Sequence, residues 1–112
     1  MAFNSTFTPQ DQEATAEQLA SERGWLLLEF GAPWCAHCQA AQPLLAAAMQ
    51  AHPQLAHRKI EDGKGRRLGR TFAVKLWPTL ILLRDGQEAG RLVRPDNAAA
   101  IRQLLDQATA NS

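Results

Sequence analysis

Apolar residues along the chain fall in short blocks separated by polar or breaker residues. The block Trp25-Leu-Leu-Leu-Glu-Phe30 is nearly continuous, which suits a central strand covered on both faces, because a strand with one solvated face would alternate. Ahead of it, Thr8-Pro9-Gln10-Asp11 reads as a helix start, with Thr8 as cap and Pro9 in the first turn, and Gly24 reads as the stop after Ala14, Leu19 and Ala20. Gly31-Ala32-Pro33 breaks the strand. The Ala- and Leu-rich stretch from Cys35 to Ala51 then predicts a helix kinked near Pro43.

Leu55 to Ile60 predicts a further strand, and the glycine- and arginine-rich stretch Gly63 to Arg70 leads into a short helix around Leu68 and Phe72. Thr79 to Arg84, Asp85-Gly86 and Gln87 to Val93 form a hairpin pattern, since Asp-Gly supplies the positive φ angles of a tight turn between antiparallel strands. Pro95-Asp96-Asn97 starts a last helix with Ile101, Leu104, Leu105 and Ala108 on one face. The alternation predicts an α/β fold, a mixed sheet flanked by helices.

At 112 residues and 46% hydrophobic content the chain suits one domain with one core, residues 1–112. A formal net charge of +1 with 21% charged residues excludes both the signature of disorder and the strongly basic balance of a nucleic-acid binder. The polar stretch Gln10 to Gln18 precedes the first apolar run, so neither a signal-peptide core nor a membrane span is expected, and the compartment reads as cytoplasmic.

The two cysteines are Cys35 and Cys38. A secreted disulfide scaffold spreads more of them along the chain, whereas one C-x-x-C in a reducing compartment points to redox chemistry or a metal. Three apart at the first turn of a helix, they lie on one face, close enough to form and open a disulfide without refolding the chain. The unpaired N–H groups and positive dipole of the helix start favour an anion, which makes Cys35 the expected nucleophile. Cys38, one turn further in and backed by apolar residues, is expected to be buried and to resolve a mixed disulfide. His37 between them would favour the thiolate and hence a more oxidising couple; a shift of roughly 30 mV corresponds to about 1.4 kcal/mol for two electrons. Trp34 is expected to border the substrate surface, while Trp25 and Phe30 read as core.

These residues resemble the thioredoxin family from about Trp25 to the last helix. Leu26-Leu-Leu-Glu-Phe-Gly-Ala-Pro-Trp-Cys35 resembles its central strand and active-site approach, Pro43 its kink proline, Trp77-Pro78-Thr79 its proline-threonine loop and Asp85-Gly86 its hairpin turn. The resemblance implies the thioredoxin fold and a thiol-disulfide oxidoreductase, a monomer acting on protein disulfides, with a thioredoxin reductase as donor and no cofactor beyond the dithiol. It further implies a cis Pro78 facing the cysteines, backbone pairing with an extended substrate beside it, and Glu29 as a buried acid taking the proton from Cys38. Reduction is favoured over oxidation or isomerisation. This chain departs from the family pattern at four places: Ala36-His37 stands where Gly-Pro is usual, Trp77 takes a substrate-contact position, Arg94 replaces a glycine, and Gly31 replaces a tryptophan. A narrower or different partner set is expected from Trp77 and Arg94.

Two other classes of function fit parts of the pattern. Cys35-x-x-Cys38 followed by His52-x4-His57 matches the spacing of a Cys2His2 zinc site, but Pro53 directly follows His52 and the cysteines follow a buried-type strand, so both histidines are expected as ordinary surface or loop residues. The second is a redox-inactive binding or chaperone module on the same fold. Lys64, Arg66, Arg67 and Arg70 read as a solvated helix face.

Overall fold

The computed structural model describes residues 3–110, with side chains through residue 108. Four strands, β1 (Trp25–Gly31), β2 (Ala56–Glu61), β3 (Thr79–Arg84) and β4 (Gln87–Val93), form one sheet in the order β2-β1-β3-β4. β1 runs parallel to β2 and antiparallel to β3, and β3 antiparallel to β4. The helices are α1 (Ala16–Ser21), α2 (Ala36–Met49), α3 (Arg67–Thr71) and α4 (Ala98–Ala110).

Six of the seven residues of β1 are buried because both faces of the strand are covered, as its unbroken apolar run implies. The strand's period of two sorts its side chains. Leu27, with Leu80 and Leu82, packs on Leu45, Ala48 and Met49 of α2 and on Ile101, Leu104 and Leu105 of α4. Leu26, Leu28 and Phe30 face the other way, with Ile81 and Leu83, onto Leu19 of α1 and Leu68 of α3. Glu29 shares the parity of Leu27 and therefore lies under α2.

The first helix starts later than the sequence pattern predicts. Pro9 precedes only a 3-10 turn, Gln10–Gln12, with no side-chain cap. The Thr8 N–H is engaged elsewhere, donating to the Lys59 carbonyl at 2.8 Å. α1 is instead capped by Thr15, whose hydroxyl accepts the Gln18 N–H at 3.1 Å while the Gln18 side chain accepts the Thr15 N–H at 2.8 Å. This reciprocal capping box outcompetes the Thr8-Pro9 signal.

The hairpin has its turn at Asp85 and Gly86, with φ of 50° and 80°. Asp85 also clasps the start of β1, since Gly24 N–H donates to its Oδ1 at 2.7 Å and its own N–H donates to the Gly24 carbonyl at 2.9 Å. Asn97 caps α4 by accepting the Ala100 N–H at 2.8 Å. No helix among the described residues is long and apolar enough to cross a membrane.

Candidate active site

β1 delivers the chain to α2 through Ala32-Pro33-Trp34, and the Ala32 carbonyl accepts the Cys35 N–H at 3.2 Å. Cys35 is the N-cap of α2, with its sulfur accepting the Cys38 N–H at 3.1 Å. That sulfur therefore takes the place of a capping oxygen, at the helix end where a negative charge is best held. The two cysteines are unbridged and buried, 7% and 4% exposed. Burial is the main cause that pushes the Cys38 thiol up to about 12, with its hydrogen bond to Cys35 and the charges of Cys35 and Glu29 acting in the same direction. Cys38 is thus a protonated thiol at neutral pH, and His37 is exposed on the first turn of α2.

The ladder between β1 and β3 pairs Phe30 with Thr79, bringing the start of β3 beside the end of β1. The Trp77-Pro78 peptide bond is cis, and Pro78 is buried. Trp77 packs against Ala32, Cys35 and Cys38. Its indole N–H donates to Asp62 Oδ2 at 2.8 Å, and its ring meets Trp34 edge-on at 5.4 Å between centroids. Trp34 itself is 72% exposed, and Leu76 and Val93 add further exposed apolar surface. Arg94 holds the left-handed conformation (φ 50°), its backbone N–H donating to the Pro78 carbonyl at 2.9 Å and its Nε to the Trp77 carbonyl at 2.8 Å.

Behind the cysteines Glu29 is 1% exposed and accepts two hydrogen bonds. Gln42 Nε2 donates to Oε2 at 2.7 Å and also reaches the Cys38 carbonyl at 3.1 Å, tying the acid to the second cysteine. His57 Nε2 lies 2.9 Å from Oε1. Lys59, also buried, donates from Nζ to Gln42 Oε1 at 3.0 Å and to the Ser5 carbonyl at 3.3 Å, and stands over the Phe7 ring.

The expectation that His52 and His57 are surface or loop residues fails for His57, which is buried within a strand, and holds for His52 only in its loop place between α2 and β2, since that side chain is buried too. His57 is 5% exposed and sits in β2 against Glu29, and His52 is 7% exposed with Nε2 at 3.3 Å from Asp106 of α4. Neither histidine builds a zinc site: among the described residues no group of three or more His, Cys, Asp or Glu is placed to hold a metal. Arg66 departs from a free solvated face, because it pairs with Glu13 and Glu61. Sequence reading missed Asp62, Gln42, Lys59 and the role of His57. Three of these had a signal: Gln42 follows Cys38 by four on one helix, and His57 and Lys59 share a strand face.

The thioredoxin family model matches residues 6–107. The chain belongs to the thioredoxin family. It is 35% identical over 94 residues to a thioredoxin of Chlamydia trachomatis serovar D, covering 84% of this chain and 90% of that one. It is 31% identical over 105 residues to a thioredoxin of Mycobacterium bovis, covering 92% and 90%. Thioredoxin 2 from Pseudomonas aeruginosa PAO1, solved in its reduced form, superposes with a TM-score of 0.84 at 44% identity over 97% of this chain and all of that one. The mixed sheet between helices is the thioredoxin fold. Membership with an intact Cys35-x-x-Cys38 pair makes the chain a thiol-disulfide oxidoreductase acting on protein disulfides. The dithiol is the only redox group that this family's chemistry needs.

Proposed function

We propose that the chain reduces protein disulfides, with Cys35 as nucleophile, Cys38 as resolving thiol and Glu29 as the base that takes its proton. The observation that carries this reading is the division between the two sulfurs: one caps a helix start, while the other is a thiol held up to about 12 beside a buried acid. The Cys35 thiolate attacks a substrate disulfide, forming a mixed disulfide and releasing one substrate thiolate. Cys38 gives its proton to Glu29 and attacks the Cys35 sulfur, closing the Cys35-Cys38 disulfide. The second substrate thiolate leaves, and two electrons have passed to the substrate.

Trp34, Trp77, Pro78 and Arg94 form the substrate surface in this reading, and His37 tunes the potential from the first turn. A thioredoxin reductase restores the dithiol, and the protein works as a monomer in the cytoplasm, where two cysteines stay reduced. Trapping tests the order of events. Cys38→Ser accumulates a covalent adduct through Cys35, and Cys35→Ser abolishes disulfide reduction. A protein that reduces no disulfide substrate, and whose binding Cys35→Ser leaves unchanged, would be only a binding module.

A further inference from the structure

The mechanism above uses Glu29 but leaves unexplained why a second titratable group is sealed against it. The side chains of His57 and Glu29 are 0% and 2% exposed, and the charged or titratable groups facing Glu29 are His57 and Lys59 from β2 and Cys38 from α2. Arg58, between them on β2, turns away to pair with Glu22 at 2.7 Å.

Hydrogen-bond logic gives this cluster one polarity. The backbone N–H of Asn4 donates to His57 Nδ1 at 2.8 Å, so Nδ1 is bare and the ring proton sits on Nε2, aimed at Glu29. Gln42 is fixed in the same way. Its oxygen must accept from the Lys59 ammonium, which leaves its amide nitrogen for the carboxylate. The segment before β2's edge supplies the locks: Phe3 stacks on the His57 ring at 5.4 Å, Asn4 holds Nδ1, the Ser5 carbonyl and Phe7 ring hold Lys59.

From this geometry we infer that His57 is a positioning residue, locked by Asn4 as a neutral Nε2–H donor that keeps Glu29 ionised in the resting enzyme and so ready to take the proton of Cys38. The inference rests on Glu29 being that base. A donor aimed at a carboxylate favours its charged form, and a ring whose other nitrogen is occupied cannot turn that donor into an acceptor. The amino-terminal segment thereby belongs to the proton-handling machinery, although it touches neither sulfur hydrogen bond described above.

Two measurements test it. Ring 15N shifts at neutral pH are expected to show His57 protonated at Nε2 and bare at Nδ1, and Asn4→Pro, which removes the N–H, is expected to give a mixture of tautomers. A ring protonated at Nδ1 in the unaltered protein overturns the inference. The second measurement follows the rate at which Cys38 displaces thionitrobenzoate from Cys35 as a function of pH. His57→Leu should move the profile alkaline by about one pH unit, roughly the worth of one hydrogen bond to a charged group, slowing resolution about tenfold on the rising limb. His57→Gln, which can present an N–H at the same place, should recover most of that rate. If His57→Leu leaves the profile in place while Glu29→Gln slows resolution, His57 is structural and the inference fails alone. If Glu29→Gln has no effect, the assignment of the base fails and takes the inference with it.

Discussion

Gly31 leaves no room for a side chain beside Cys38: a Cβ at that position would stand 2.5 Å from the Cys38 sulfur. Gly31→Ala must therefore turn the sulfur away from its site against Cys35. We expect a loss of about 1–3 kcal/mol of stability, the usual range for overpacking a tight core. Resolution should slow about tenfold or more, because misplacing a reacting atom is costly. Chemical denaturation and stopped-flow thiol release check the two effects separately.

Arg94 occupies the carbonyl of Trp77, the backbone acceptor just before the cis-proline. A substrate backbone pairing there must displace it. Arg94→Gly frees the carbonyl and suits the positive φ, so stability is expected to be unchanged or higher by up to about 1 kcal/mol. Insulin-disulfide reduction should rise several-fold in the same variant.

Asp62 anchors the indole of Trp77 from the opposite side, and Gly69 makes room for that carboxylate. Asp62→Ala removes a hydrogen bond of about 0.5–1.5 kcal/mol. The expected result is a several-fold rise in KM for protein disulfides with little change for a small aromatic disulfide, read by steady-state kinetics on both.

The Cys38 thiol, moved from an ordinary 9.0 to about 12, gives a pH signature. The folded protein holds this proton more tightly than the unfolded chain. The stabilisation is therefore complete below about 9 and is lost as pH rises towards 12. Reduced Cys35→Ser protein should lose stability across that window relative to the same protein carrying Cys38→Ala as well. In the unaltered protein, alkylation near neutral pH should modify Cys35 and spare Cys38.

The elements with strong local signals were legible. The continuous run of β1, the Asp85-Gly86 turn and the amphipathic face of α4 each follow from periodicity or turn chemistry acting over a few residues. So did the cysteine pair, because its spacing is itself the chemistry. The start of α1 was misread because two competing caps lie seven residues apart, and a Thr8 N–H donating to Lys59 decides between them. The shared burial of the polar cluster was not legible for a similar reason, although helix and strand spacing place some of its members on common faces. Asn4, Glu29, Gln42, His57 and Lys59 come from four separated stretches, and nothing in any one stretch says that its polar group will be buried with the others. Burial turned a histidine that reads as surface into a partner of the acid.

Phe30 and Thr79 are opposed rungs of one ladder, so the segment leading to the nucleophile and the segment leaving the cis-proline are carried by a single rigid body. Thermal agitation that loosens exposed turns elsewhere has no means of widening the gap between them. On warming, turnover will persist until the sheet itself comes apart, and the temperature of inactivation will coincide with that of global melting.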